Sequence, residues 1–250
     1  EPAMQYAYQK SEGTRYGEFY GYIAEGYFQS EEEIKKSPRQ MRELAPGDIK
    51  YKDLNDDGVI DANDQCYLGK SWFPSWSYGM GFNINYHNFD LALFFQGVSD
   101  VSIMANGGSI DTGNGDWGAS GVGIVPFTGM GLNPSNVITK ALDRWTADNP
   151  RADAWYPRMT ANATTNDNNY VNSTHWLKDG SYLRLKQASL GYTLENKKLM
   201  DKGIEYLYFY LSGQNLLTFS KFKLWDPELG SNGAKYPLSR MVTLGMRVSF

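Results

Sequence analysis

The sequence predicts an all-β fold of about six antiparallel strands joined by connections of very unequal length. Apolar and polar residues alternate over segments of about ten residues, which is enough for a tilted strand to cross a membrane. Aromatic residues make up 15% of the 250 positions, as expected where rings line membrane interfaces. Soluble half-buried sheets show the same alternation, so periodicity alone leaves both environments open.

The alternation defines six candidate strands, at residues 16–25, 76–87, 89–99, 181–194, 205–218 and 239–250. The last of them is the most regular. One of its faces is entirely apolar, with Val242, Leu244, Met246, Val248 and Phe250. Arg247 lies on the opposite face, which in a membrane barrel is the lumenal one.

Long and short connections alternate along the chain. His87-Asn88 is a tight turn between two candidate strands, and residues 195–204 form a second short link. Residues 26–75, 100–180 and 219–237 form long loops. Compact soluble domains rarely carry loops of this length. Short turns at one end and long loops at the other are typical of outer-membrane barrels, whose long loops are extracellular.

Two short helices are expected inside these loops. Ser30 and Glu33 match a capping box for a helix through Lys36. Asn133-Pro134 precedes an apolar stripe that ends at Trp145 and predicts a helix of about three turns. The Asn- and Thr-rich segment 162–172 is expected to be irregular.

Composition excludes several classes of function. The net charge is −4 and no Lys/Arg-rich stripe is present, so nucleic acid is not an expected partner. The two histidines, His87 and His175, are far apart and neither has an evident catalytic partner. With Cys66 as the single cysteine, no internal disulfide is possible. We therefore expect neither an enzyme nor a disulfide-stabilised module.

The sharpest motif is the acidic segment from Asp53 to Asp64. Its loop positions one, three, five, seven, nine and twelve supply the oxygen ligands that Ca²⁺ prefers, and Gly58 stands at the sharp turn. The predicted metal ligands are the side chains of Asp53, Asn55, Asp57, Asp61 and Asp64 and the carbonyl of Val59. Asp64 replaces the usual Glu and reaches less far. The alternative is an acidic, solvated turn.

Tryptophans in the loops are candidates for contact with a ligand, because a flat amphipathic ring stacks on sugars and fills interfaces. Trp72 and Trp76 precede a strand, where a membrane-interface role is expected. Trp145 belongs to the predicted helix and is expected in the core. Trp117 and Trp155 are the remaining candidates for substrate contact.

Several motifs together resemble the SusC/RagA family of Bacteroidota, in the same order as in that family. Each is weak by itself, but their combination is specific. They are Pro46-Gly47-Asp48-Ile49-Lys50-Tyr51-Lys52-Asp53, Arg144-Trp145-Thr146 with Asp148-Asn149-Pro150, Tyr156-Pro157-Arg158, Asp179-Gly180-Ser181-Tyr182-Leu183-Arg184-Leu185-Lys186, Ser212-Gly213-Gln214-Asn215-Leu216-Leu217, and Tyr236-Pro237 with Arg240. Ala147 stands where the family often has Pro.

The resemblance implies a TonB-dependent transporter of the outer membrane, closed as a barrel of about twenty-two strands around a plug. Residues 1–250 are then expected to be its C-terminal barrel part, surrounded by outer-membrane lipid. The family pairs with a SusD-like surface lipoprotein and imports oligosaccharides or oligopeptides, with energy from the TonB-ExbB-ExbD complex. The segments that contact TonB are N-terminal in the family and are not in this sequence.

Two other functions remain possible from the residues alone. One is a soluble, calcium-stabilised β-sandwich module that binds glycan through its tryptophans. The other is an ungated porin, which the long loops disfavour. The last strand favours a barrel over the sandwich, because a soluble module has no need of an alternating run that reaches an aromatic residue at Phe250.

Overall fold

A computed structural model describes residues 6–106, 139–159, 168–231, 233 and 236–250. The chain divides into two compact units. The loop unit comprises Glu1–Phe73, Val101–Asp179 and Leu224–Lys235. The sheet unit comprises Pro74–Asp100, Gly180–Lys223 and Tyr236–Phe250. Each predicted long loop therefore contributes most of its residues to the loop unit.

Strands are the main secondary structure of the described residues. The strands are β1 (Glu18–Gly21), β2 (Ala24–Tyr27), β3 (Ile49–Tyr51), β4 (Cys66–Ser71), β5 (Trp76–Tyr86), β6 (Phe89–Ser99), β7 (Ser102–Met104), β8 (Leu177–Asp179), β9 (Tyr182–Leu194), β10 (Tyr206–Ser220) and β11 (Met241–Ser249). The α-helices are α1 (Glu31–Lys36) and α2 (Lys197–Met200), and short 3₁₀ helices cover Ala7–Gln9, Ala62–Asp64, Thr139–Leu142 and Pro227–Leu229. No helix in these ranges has the length and apolar character required to span a membrane.

The sheet unit is a single antiparallel sheet with the order β11-β10-β9-β6-β5. Its strands match the last five predicted segments to within about two residues at each end. The sequence alternation thus predicted both the strands and their antiparallel pairing through the tight turn at His87, whose φ is +50°.

The register places apolar residues of all five strands on one face. Ile84 pairs with Leu91, Leu91 with Leu190, Leu190 with Leu211, and Leu211 with Leu244. Most of this face is exposed, and Leu244 is 79% exposed. A soluble β-sandwich would cover such a face with a second sheet. The exposed apolar face instead suits contact with lipid.

The opposite face of the sheet is polar. Tyr208 donates a hydrogen bond to Asp90 at 2.9 Å across β9, where Gly191 leaves the space for their side chains. Arg247 pairs with Tyr208 in the register and lies on this face, as predicted. The two faces thus have the opposite polarities of a barrel wall.

Short and long connections lie at opposite ends of the sheet. The turn after Tyr86 and the link through α2 join strands at one end, and the chain also reaches this end after Ser249. The long connections 100–180 and 219–237 start and finish at the other end, and the connection 26–75 enters the sheet there at the start of β5. The predicted alternation of connection lengths is therefore present in the structure.

The first predicted strand differs from its expected role. Residues 16–25 do not join the large sheet but contribute to β1, which pairs with β4, and to β2, which pairs with β3. Register shifts occur in both pairs, between Glu18 and Tyr20 and between Ala24 and Gly26. Alternation predicted extended backbone here, but it carries no information about which strand is the partner.

The two helix predictions have different outcomes. Helix α1 is confirmed: Ser30 Oγ accepts from the backbone N of Glu33 at 3.2 Å. The second helix was predicted to reach Trp145, and its residues 133–138 lie outside the described residues. The described part is the 3₁₀ helix Thr139–Leu142 alone. The prediction is wrong beyond Leu142, because the backbone N of Trp145 bonds to the carbonyl of Tyr156 at 2.9 Å.

Candidate functional site

The acidic segment 53–64 forms a closed loop in the loop unit. Gly58 has φ +81°, in agreement with the predicted turn, and Asp56 also has a positive φ of +58°. The carboxylates cap backbone N–H groups of the same loop. Asp53 Oδ2 accepts from Gly58 at 2.8 Å and Asp57 Oδ1 accepts from Val59 at 2.8 Å.

Asp64 closes this loop from within. It is fully buried, and its two oxygens accept from the backbone N of Leu54 at 2.7 Å and of Asp61 at 2.9 Å. The shorter side chain at loop position twelve therefore reaches the backbone at both halves of the loop. Asp61 Oδ1 accepts in turn from Asn63 at 2.7 Å.

The predicted calcium ligands lie in one loop, but their oxygens are directed mainly to the backbone. Asn55 Oδ1 accepts from the backbone N of Asp57 at 3.2 Å. No group of three or more His, Cys, Asp or Glu in the described ranges has the arrangement of a metal centre. Asp53 Oδ1 is buried and has no hydrogen-bond partner among these residues, so it retains a free ligand position. Calcium binding therefore stays a prediction.

The two candidate substrate-contact tryptophans have different outcomes. Trp117 lies outside the described residues. Trp155 is half-buried, with its ring centroid 4.4 Å from that of Tyr156 and 5.5 Å from that of Trp176. Lys178 Nζ lies 5.2 Å from the Trp155 ring centroid. Much of the ring is thus occupied by neighbouring side chains, and substrate contact by Trp155 stays a prediction for its exposed part.

His175 lies beside this aromatic cluster. Its Nε2 is 3.3 Å from the Tyr27 hydroxyl and 3.1 Å from the carbonyl of Trp155. Burial, followed by the nearby charge of Lys178, lowers the pKa of His175 to about 4. Burial also lowers the pKa of Lys178 to about 8. His175 is therefore neutral at neutral pH and packs within the described part of the loop unit.

Motifs that are distant in sequence meet in the loop unit. Arg158 Nη2 donates to the buried carboxylate of Asp48 at 2.9 Å, and Arg158 Nε lies 2.6 Å from its other oxygen. Gly47 packs against the indole of Trp145, which occupies the position where a Cβ would lie. The backbone N of Arg158 also bonds to the Gly47 carbonyl at 2.9 Å. The motifs around residues 47, 145 and 158 therefore form one structural core.

Sequence reasoning missed three buried amides around β3. Asn169 donates to Asp48 at 2.7 Å and accepts from the backbone N of Ile49 at 2.9 Å. Gln40 accepts from the backbone N of Tyr51 at 2.7 Å. Asn168 donates to the carbonyl of Ile49 at 3.1 Å. Asn168 and Asn169 lie near the end of the segment 162–172, which was expected to be irregular, and both are buried. They are buried because their side-chain amides hydrogen-bond to the backbone of β3.

Comparisons with known proteins point to one family. No family model matches the chain. TonB-dependent receptor P26 of Formosa agariphila is 30% identical over 241 residues, which are 90% of this chain and 22% of that protein. TonB-dependent receptor P3 of the same organism is 28% identical over 255 residues, or 96% of this chain and 22% of its own length. The chain therefore spans about a fifth of the length of these relatives.

Solved structures show the same fold. The RagAB peptide importer in its open-open state has a TM-score of 0.61 and 24% identity, covering 93% of this chain and 22% of that one. Its closed-closed state has a TM-score of 0.59 at 24% identity, covering 93% of this chain and 23% of that one. TonB-dependent receptors are outer-membrane transport proteins and not enzymes. The chain is thus a segment of a TonB-dependent receptor, with the fold of the matching part of the RagAB importer.

Proposed function

We propose that the transporter containing this chain imports oligosaccharides or oligopeptides across the outer membrane, with energy delivered through TonB-ExbB-ExbD. The observation that carries this proposal is the five-stranded sheet with one continuous apolar face and one polar face. This chain supplies part of a barrel wall whose polar face lines the lumen and whose apolar face meets lipid. The similarity to TonB-dependent receptors supports energy coupling.

The long connections are proposed to lie outside the cell and to contact a SusD-like lipoprotein. The connections 100–180 and 219–237 start and finish at one end of the sheet, and the connection 26–75 enters β5 at that end, whereas the short turns lie at the other end. Loop 100–180 is rich in Asn and loop 219–237 is rich in aromatic residues, a composition that suits a partly polar, hydrated interface.

Uptake by cells carrying the full-length gene tests the import proposal. Labelled oligosaccharide and oligopeptide mixtures are offered separately to wild-type cells, to cells lacking the gene and to cells lacking TonB. Import that depends on both the gene and TonB for one mixture supports the proposal and identifies the substrate class. Uptake of both mixtures that survives loss of either protein overturns it.

Crosslinking tests the outward orientation. Photo-crosslinkers placed in the loop unit and at the His87 turn of the full-length transporter are activated in intact cells. We expect loop-unit crosslinks to a surface lipoprotein and His87 crosslinks only to periplasmic proteins. Crosslinks from the loop unit to periplasmic proteins would reverse the orientation.

We also propose that the acidic loop binds Ca²⁺ as a structural ion, through Asp53, Asn55, Asp57, Asp61, Asp64 and the carbonyl of Val59. The buried, unpartnered Asp53 Oδ1 and the turn at Gly58 support this proposal. Equilibrium binding of calcium to the full-length protein is the test. Asp57→Ala should lose binding, whereas Asp56→Asn, at a non-ligand position with positive φ, should retain it. Equal binding by both variants would contradict the assignment.

A further inference from the structure

A cleft in the loop unit, which we call the mixed-charge cleft, is lined by charged side chains of both signs. Its volume is about 350 Å³, which lies in the range of pockets that hold small ligands. All of its lining residues belong to the loop unit. The charged lining residues are Glu25, Lys36, Lys50, Lys52, Asp53 and Asp56. Such a surface favours a small polar ligand over an apolar one.

Two buried lining residues have their polar groups satisfied within the fold. Gln40 Nε2 donates to the carbonyl of Ile49 at 2.9 Å, and Gln40 Oε1 accepts from the backbone N of Tyr51 at 2.7 Å. Tyr51 is 2% exposed, and its hydroxyl donates to the carbonyl of Asn168 at 2.6 Å. This side of the mixed-charge cleft is therefore fixed by hydrogen bonds, and the ring of Tyr51 is not available for stacking on a ligand.

Lys50 is held by two carboxylates. Its Nζ lies 3.2 Å from Glu33 Oε1 and 3.8 Å from Glu25 Oε2. Glu33 belongs to α1 and Glu25 to β2, so these ion pairs connect the helix to the β2-β3 pair. The charge of Lys50 is therefore largely balanced within the fold.

Three other lining charges have no such balance. In the described ranges, Lys36 and Lys52 form no ion pair, and the side chain of Asp56 has neither an ion pair nor a hydrogen bond. All three side chains are exposed. Asp53 is a different case, because one of its oxygens accepts from Gly58 and the other is assigned to the proposed calcium ion. Two lysines and one carboxylate thus remain for a ligand.

A ligand of a single charge does not match this distribution. An anion attracted by Lys36 and Lys52 would be repelled by Asp56, and a cation attracted by Asp56 would be repelled by the two lysines. A ligand with a positive group at one end and a negative group at the other can pair with both. Amino acids and short peptides with free termini carry these two charges at neutral pH.

We propose that the mixed-charge cleft binds a small zwitterion of about the size of a dipeptide. The ligand carboxylate contacts Lys36 and Lys52, and the ligand ammonium group contacts Asp56. A sugar is a less suitable occupant, because the cleft presents no exposed aromatic ring among the described residues. This site lies within the loop unit and goes beyond the import proposal.

Ligand-observed NMR titration of the full-length transporter in detergent with alanyl-alanine tests this proposal. N-acetyl-alanyl-alanine and alanyl-alanine amide each lack one of the two charges and are the matched probes. Lys36→Ala, Lys52→Ala and Asp56→Asn each remove one charge of the cleft. Lys35→Ala is the control variant, because Lys35 is the neighbouring exposed lysine of α1 and does not line the cleft. Protease resistance of the loop unit verifies that each variant keeps its fold.

We expect saturable binding of alanyl-alanine that weakens by about fivefold in each of the three cleft variants, and by a similar factor with each blocked probe. Lys35→Ala should bind like the wild type. Absence of saturable binding, or equal binding by the cleft variants and Lys35→Ala, would overturn the proposal. Equally tight binding of the N-acetylated probe would also overturn it, because the site would then recognise an anion alone. The titration involves neither cells nor TonB, so its outcome is independent of the import proposal.

Discussion

At the scale of single residues, burial controls the charge of His175. Its side chain lies against Tyr27, Trp155 and Trp176, with ring centroids 5.5 Å from Tyr27 and 4.7 Å from Trp176. The folded pKa of about 4 lies below the ordinary value of 6.5. The folded protein therefore resists protonation of His175 at pH values where the unfolded chain accepts it.

This difference predicts a pH-dependent stability of the loop unit. Below pH 6.5 the unfolded chain binds a proton that the folded state binds only near pH 4, so stability falls as the pH drops through this window. The full effect is on the order of 3 kcal/mol. Protease resistance of the loop unit in the full-length protein, measured from pH 7.5 to 4, should fall accordingly.

Two variants make this measurement specific. His175→Gln should flatten the pH dependence, because no group at position 175 then titrates. His87→Asn should leave the dependence unchanged, because His87 lies in the turn of the sheet unit and Asn tolerates its positive φ. If His175→Gln keeps the same slope as the wild type, another group is responsible.

At the scale of elements, the two faces of β11 provide a direct test of the barrel wall. Leu244 and Thr243 are adjacent near the middle of the strand and point to opposite faces. Leu244→Arg places a charge on the apolar face, at a cost of roughly 2–4 kcal/mol near the bilayer midplane. Thr243→Arg places the same charge on the polar face, where water is available. We expect less assembled transporter in the outer membrane for Leu244→Arg than for Thr243→Arg. Equal assembly of the two variants would argue against the face assignment.

The polar face also contains a close contact between strands. A Cβ at Gly191 would collide with the Tyr208 hydroxyl and the Asp90 carboxylate, whereas one at Gly81 would have its nearest neighbours at 3.8 Å. Gly191→Ala should therefore destabilise the assembled barrel by about 1–3 kcal/mol through overpacking. Gly81→Ala is the matched control in the same sheet. Melting of both variants in detergent measures the difference, and equal melting temperatures would show that the sheet absorbs the added methyl group.

At the scale of the whole molecule, the sheet unit by itself would expose open strand edges and apolar surface to water. Strands β5 and β11 each pair on one side only among the described residues, and one face of the sheet is largely exposed apolar surface. Open edges and an uncovered apolar face favour aggregation. We expect residues 1–250 expressed alone to aggregate without detergent. A monomeric product that melts cooperatively in water would refute this expectation.

Local sequence patterns were sufficient to predict the strands of the sheet unit and part of the loop unit. Alternation in segments such as 76–87 and 239–250 predicted the strands and their faces, because side chains alternate along any extended chain. Ser30 predicted α1, because a cap depends on its own turn alone. Gly58 predicted the turn of the acidic loop for the same reason. The family resemblance predicted the barrel class that the comparisons support.

Tertiary structure decided which of these elements meet. It assigned residues 16–25 to partners inside the loop unit, and it ended the helix before Trp145 by pairing that residue with Tyr156. It also buried Asn168 and Asn169 in a segment whose composition predicted irregular chain. These outcomes depend on hydrogen bonds and packing between separate segments, from 11 positions apart for Trp145 and Tyr156 to 121 for Asn169 and Asp48. Local sequence patterns report the conformation of a segment, but only the folded chain determines the partner that satisfies its polar groups.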